Sequence, residues 1–172
     1  KESAMLLPLA LLVWEAALRT PARLIVRRQW PYWALFLLGA LAMMLHPGTS
    51  ALMRQSLEVR TLGQSLAAQL ASTVSLLLKL PWPAHLNIDP DWPPVAGVFA
   101  VLPQLLAIVV VSWLAWRLRA SRPWVCLGVF WALAHLLLPN AIFPRVDVAN
   151  ERQLYWADWG LLLAAAVELD QR

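Results

Sequence analysis

Five apolar runs punctuate the chain, and the residues between them set its organisation. The first covers residues 4–18 and is interrupted by Pro8 and Glu15. The second covers 31–46, from Trp30-Pro31-Tyr32 to His46-Pro47-Gly48. The third, 95–116, is the longest, and the fourth, 123–139, closes on Pro139. The fifth, 153–169, carries Asp158 and ends on Glu168 and Asp170. A helix needs about 20 mostly apolar residues to cross a bilayer. The first run is short for that, and its Pro8 and polar start predict a helix whose extracytoplasmic end is buried in protein. From about Leu57 to Leu80 the pattern changes. Leu62, Leu66, Leu70, Val74, Leu77 and Leu78 recur at helical spacing, with Gln64, Ser65, Gln69, Ser72, Thr73 and Ser75 between them. That reads either as a span or as an amphipathic helix in the interface.

The arginines decide between these readings. Arg19, Arg23, Arg27 and Arg28 follow the first run, and Arg117, Arg119 and Arg122 separate the third from the fourth; neither cluster contains an acid. The other polar segments mix signs: Arg54, Glu58, Arg60, Lys79, Asp89 and Asp91 in one, Arg145, Asp147, Glu151 and Arg152 in the other. Basic loops stay on the cytoplasmic side of a polytopic membrane protein. Keeping both clusters there requires an even number of crossings between residues 29 and 116, which the second and third runs supply. The helix around 62–78 therefore belongs on or in the extracytoplasmic leaflet. The predicted fold is all-α: one membrane domain over 1–172, with about five membrane helices and one extracytoplasmic amphipathic helix. The segment 81–94 carries five prolines and cannot be regular helix.

Composition agrees with a membrane environment. The chain is 60% hydrophobic and only 14% charged, against about 45–50% and about 25% in soluble domains. Its eleven tryptophans suit membrane interfaces, where an apolar ring and a polar N–H are both satisfied. The formal charge of +4 reads as a positive cytoplasmic face beside anionic lipid. It does not read as a nucleic-acid site, because apolar spans divide the basic residues. The single cysteine, Cys126, excludes an internal disulfide and reads as a small buried apolar side chain. The opening Lys1-Glu2 meets an apolar run with no signal-peptide pattern. It reads as the start of a piece cut from a longer protein.

Several polar constellations carry candidate chemistry, each with a structural alternative. Asp89 and Asp91 lie two apart, with His85 nearby. They suit a divalent cation or an acid–base pair, or equally a proline-rich turn whose Asp side chains cap backbone N–H groups. Asn150-Glu151-Arg152, then Tyr155, precedes the last run. An Arg fork held by Glu fits a lipid phosphate, whereas a capped helix start with a snorkelling Arg explains the same residues structurally. Lys1 is either a phosphate contact or an interfacial anchor. Glu15 and Asp158 are carboxylates in apolar runs, suspected of function, yet close enough to span ends for headgroup placement or a hydrogen bond. His135 reads as a packed, hydrogen-bonded core histidine.

Three of these segments, in order, resemble polytopic GT-C-type glycosyltransferases. The nearest likeness is to the C-terminal half of the membrane domain of tetratricopeptide-repeat-linked O-mannosyltransferases and their bacterial homologues. Lys1-Glu2-Ser3-Ala4 with Leu7-Pro8-Leu9 resembles their "KE-x-A…LP" helix. Arg60-Thr61-Leu62-Gly63-Gln64, Leu76-Leu77-Leu78, Pro81 and Leu86-Asn87-Ile88-Asp89-Pro90-Asp91-Trp92-Pro93 resemble their "LTQ…LLLLP…LNLDYDYP" segment. Leu138-Pro139-Asn140, Phe143-Pro144 and Glu151-Arg152-Gln153-Leu154-Tyr155 resemble "LLP-x-SNLFP…ERxLYLP". The chain departs from the pattern at Gly63-Gln64 and at Trp156-Ala157, and no tetratricopeptide pattern follows.

The resemblance implies a transferase that moves a sugar from a polyprenyl-phosphate donor on the extracytoplasmic side, as in a bacterial inner membrane with functional loops facing the periplasm or exterior. It implies that Lys1, Glu151, Arg152 and Tyr155 bind the lipid phosphate and that Asp89, Asp91 and His85 shape the cleft. It also implies a main catalytic carboxylate upstream of Lys1, so that this piece alone is inactive. No cofactor is specified beyond a possible divalent cation. The alternatives are a non-catalytic membrane module, for assembly or for binding a lipid-linked glycan, and a small transporter using Glu15 and Asp158.

Overall fold

A computed structural model of the chain describes residues 6–59, 61–79, 98–142 and 152–171. Among these residues there are seven α-helices and no strand, so the all-α expectation holds.

The first helix, α1, is Leu7–Ala17, with Pro8 in its first turn, where the missing N–H costs no bond. It ends in a Schellman motif. Thr20 N donates to Glu15 O at 3.0 Å, Arg19 N donates to Ala16 O at 3.1 Å, and Arg19 sits at φ 58°. Glycine usually fills that left-handed position; arginine does so here beside the negative end of the helix dipole. Pro21 then starts α2, Ala22–Leu45. The sequence reading began this helix at Pro31. The structure corrects it: the arginine-bearing stretch is helical and runs through Pro31, leaving only the Arg27 carbonyl without its usual donor.

His46 ends α2 and caps α3, Pro47–Val59. Its Nδ1 accepts the Gly48 N–H at 3.2 Å, and the axes of α2 and α3 differ by 73°. This helix was not foreseen. A capping box then starts α4, Leu62–Lys79. Thr61 N donates to Gln64 Oε1 at 3.0 Å, and Gln64 N donates to Thr61 Oγ1 at 3.3 Å, which satisfies two otherwise orphan donors reciprocally. A 3₁₀ turn, Val98–Val101, leads into α5, Leu102–Leu118. The helix α6 is Pro123–Ile142, three residues longer than its apolar run because it continues through Pro139. The last helix, α7, is Arg152–Asp170.

The hub is α6, which packs against α1, α4, α5 and α7. Its contact with α7 is the most extensive and is built from small residues. Gly128 on α6 meets Gly160 and Ala164 on α7, and Ala132, one turn on, shares the core cluster with Ala157; such small residues let backbones approach closely. A methyl group added to Gly128 would lie 2.5 Å from the Gly160 carbonyl oxygen and 2.9 Å from the Ala164 Cβ. Trp131 Nε1 donates to Trp156 O at 2.7 Å, and Arg122 Nη1 donates to Glu168 Oε2 at 2.8 Å. These pairs make α6 and α7 antiparallel. α1 is antiparallel to α6 as well: Trp14, near the end of α1, packs 4.5 Å from Trp124, near the start of α6, with the rings tilted by 45°. Arg19 therefore lies at the same end of the bundle as Arg117, Arg119 and Arg122. The starts of α1 and α7 share the opposite end.

The burial pattern is turned inside out relative to a soluble bundle. On α4 the buried residues are Ala67, Ala68, Gln69, Ser72, Thr73 and Leu76, while Leu62, Leu66 and Leu78 face outward. The Gln69 amide donates to the Leu136 carbonyl on α6. An interfacial helix with a solvated polar face is not what this shows; the polar stripe is packed against α6. On α5, Leu106 is 63% exposed and Val109 53%. Only Phe99–Leu118 is both long and apolar enough to cross a bilayer alone among the described residues. The bent pair α2 and α3 passes the same test together, and α1 and Pro123–Leu138 are shorter apolar helices. Five separate spans are not shown.

Candidate functional site

Most of the sequence-predicted site lies outside the described residues: Lys1, His85, Asp89, Asp91 and Glu151 do so entirely. Arg152 is the first residue of α7, and its backbone position is described. Tyr155 follows one turn later and is 72% exposed, because Leu154 and Ala157 occupy the buried side of α7. Tyr155 shares the outer surface with Trp156 and Trp159, which makes an aromatic band at the end away from the arginines. The expectation that Tyr155 touches a bound phosphate thus meets a side chain that points out of the bundle.

That end also holds a cleft of about 160 Å³ between α1 and α6. Leu6, Leu9, Val13, Phe130 and Ala134 give it an apolar lining, with Trp131 and His135 beside them. His135 is buried. Its Nδ1 lies 3.0 Å from the Trp131 carbonyl oxygen, so Nδ1 carries the donated proton. Its ring packs 4.5 Å from Trp131 and stacks 6.4 Å from Trp156 at 19°. The core-histidine reading holds, with the addition that the ring borders an opening.

A second polar group joins α1 to α2. Gln29 Nε2 donates to Glu15 Oε2 at 3.0 Å, and Trp33 Nε1 donates to Gln29 Oε1 at 3.4 Å. Arg28 stands 3.9 Å from the same carboxylate. Glu15 is therefore held by a hydrogen bond, one of the two structural roles expected for it. Gln29 was missed by the sequence reading. The available signal was a glutamine one helical turn from Trp33 on an apolar helix, which needs an internal partner. Asp158 is half-buried on α7, and its Oδ1 has no hydrogen-bond partner among the described residues.

At the opposite end, Arg117 lies over the Trp113 ring at 5.0 Å and Arg119 over the Trp116 ring at 4.5 Å. Arg119 Nη1 also donates to the Trp116 carbonyl at 2.8 Å. Among the described residues, no three His, Cys, Asp or Glu side chains gather as candidate metal ligands. The divalent-cation expectation rests on Asp89 and Asp91, outside those residues. Comparison with family models, with curated proteins and with solved structures found no match.

Proposed function

We propose that the chain is a polytopic membrane helix bundle forming part of a GT-C-type glycosyltransferase, which moves a sugar from a polyprenyl-phosphate donor on the face opposite the arginines. One observation carries the membrane part: small and polar residues share the helix contacts with a few leucines, while many large apolar residues face outward. Water would penalise that arrangement; lipid favours it. In this reading α2 with α3, α5, α6 and α7 cross or enter the bilayer, α1 is a short buried helix, and the arginine end is cytoplasmic.

The transferase part rests on the order of the three resemblances and on the shared end of α1 and α7. That shared end supports Lys1, Glu151 and Arg152 acting together, since each lies close in sequence to a helix start found there. The chemistry is charge stabilisation: a lipid phosphate leaves as an anion, and preorganised Arg or Lys donors in a low-dielectric cleft favour that charge. Asp89, Asp91 and His85 shape the acceptor or donor cleft, and the main carboxylate is the one the resemblance puts upstream. In the longer enzyme, Arg152→Ala lowers transfer by about 10²–10³-fold, the scale for losing one preorganised donor. An in vitro assay with a polyprenyl-phosphate sugar checks this, and full activity removes Arg152 from the mechanism.

One observation favours a second reading, a non-catalytic module that binds a lipid-linked glycan. The cleft between α1 and α6 is apolar and fits a hydrocarbon chain better than a sugar. A transfer assay with the longer protein separates the two: turnover of a polyprenyl-phosphate sugar supports the enzyme, and binding of the lipid-linked glycan without turnover supports the module.

A further inference from the structure

The arginine end carries a feature that the transferase reading does not use. Leu106, Val110, Trp113 and Arg117 follow one another at spacings of four, three and four, so they line a single face of α5. All four are exposed. No other helix covers this face among the described residues: the opposite side of α5 holds the buried Ile108 and Ala115, and Trp116 turns toward Phe130 of α6 at 6.2 Å. The strip therefore runs from hydrocarbon-like side chains to a guanidinium parked over an indole. Stacking on Trp113 spends none of Arg117's N–H donors.

Charge at this end is unbalanced. Glu168 is held by Arg122 and Glu15 by Gln29, with Arg28 close by. Neither acid, nor Asp170 at the end of α7, has an ion pair with Arg117, Arg119 or Arg19 among the described residues. Arg119, two residues on, turns with Ala115 to the packed side of α5, where it bonds the Trp116 carbonyl, so Arg117 is the charge that this face presents. The surface asks for one occupant that is anionic at one end and apolar along its length.

We infer that this face of α5 binds an anionic phospholipid of the cytoplasmic leaflet, with acyl chains along Leu106, Val110 and Trp113 and the phosphate at Arg117. The inference rests on the membrane reading. It adds a lipid class and a named site at the end where the sugar donor is not expected. The lipid would pin the α5–α6 turn at the headgroup level and so set the depth of both helices.

The test uses the full chain purified in a mild nonionic detergent. Extraction of native membranes with alkaline carbonate comes first, and release of the chain there sinks the membrane reading itself. Phosphatidylglycerol and phosphatidylcholine are then offered in equal amounts, and the lipid retained is counted by native mass spectrometry. Phosphatidylglycerol is retained about fivefold over phosphatidylcholine, the scale of one interfacial arginine. Arg117→Gln brings the ratio within about twofold of unity, whereas Arg54→Gln on α3 leaves it unchanged. Arg117→Lys keeps the charge and a ratio of about threefold or more, and a ratio near unity there counts against the proposal even where Arg117→Gln fails to fold. Equal retention of the two lipids by the natural chain overturns the proposal. So does a ratio unaffected by Arg117→Gln, or displacement of the lipid by millimolar inorganic phosphate, which would mark a simple anion site.

Discussion

Replacing Gly128 by alanine tests the packing of the bundle at its tightest point. The added methyl would lie 2.5 Å from the Gly160 oxygen, whereas ordinary contact begins at 3.4 Å. The obstacle is backbone, and its neighbour Ala164 is already 2.9 Å from the same methyl, so no side chain can swing aside. The helices must part by roughly an ångström, or α6 must shift along α7. Overpacking of a well-filled contact costs about 1–3 kcal/mol, and a backbone obstacle places Gly128→Ala toward the upper part of that range. Separation also loosens the Trp131–Trp156 bond and the Arg122–Glu168 pair, which span the same interface. At about 2 kcal/mol the midpoint falls by about 4–8 °C for a chain of this size. Tryptophan fluorescence during thermal unfolding in detergent reports it directly. Gly39→Ala on α2 is the matched control. Among the described residues no atom crowds a methyl there, and helix propensity alone raises stability by up to about 1 kcal/mol. If Gly128→Ala is as stable as the natural chain while Gly39→Ala behaves as expected, the close approach of α6 and α7 is wrong.

Two further substitutions probe α4. Thr61→Ala removes the capping box and costs about 1 kcal/mol, read as a lower midpoint in the same assay with a loss of helical signal of about a turn. Gln69→Ala leaves the Leu136 carbonyl without its side-chain donor and costs about 1–3 kcal/mol, whereas a change within a few tenths of a kcal/mol would mean that α4 lies elsewhere.

The helix ends were legible wherever the sequence used strong punctuation. Arg117–Arg122 followed by Pro123 marked the α5–α6 turn. The first run ends at residue 18, close to the end of α1 at Ala17, but its charged continuation reads as a loop by sign alone. Arginine is a good helix former, and its long side chain lets a helix begin at the headgroup level. Pro31 and Pro139 misled because a proline removes one donor without ending a helix that has protein or polar surroundings for the freed carbonyl. The 57–80 segment showed its periodicity but not its direction. A polar stripe solvated in water and a polar stripe packed in lipid have the same spacing, and only the position of Gln69 against α6 tells them apart. His135, Cys126 and Glu15 were legible as structural residues, because a lone polar group on an apolar helix is most cheaply satisfied by a neighbouring helix. The candidate site was read mainly from loops, where side-chain identity suggests chemistry but leaves geometry open. Tyr155 shows the difference: its sequence place is one turn from Arg152, yet its ring faces outward.

Sidedness is the claim on which the rest depends, and single-cysteine labelling measures it. Cys126 is fully buried, so Cys126→Ala provides a silent background. Thr20→Cys and Ala120→Cys report the two arginine turns, and Tyr155→Cys reports the aromatic end. In intact cells a membrane-impermeant maleimide labels Tyr155→Cys, and it reaches Thr20→Cys and Ala120→Cys only after permeabilisation. Labelling of the two arginine-turn cysteines from opposite faces, or of all three from one face, would contradict the account.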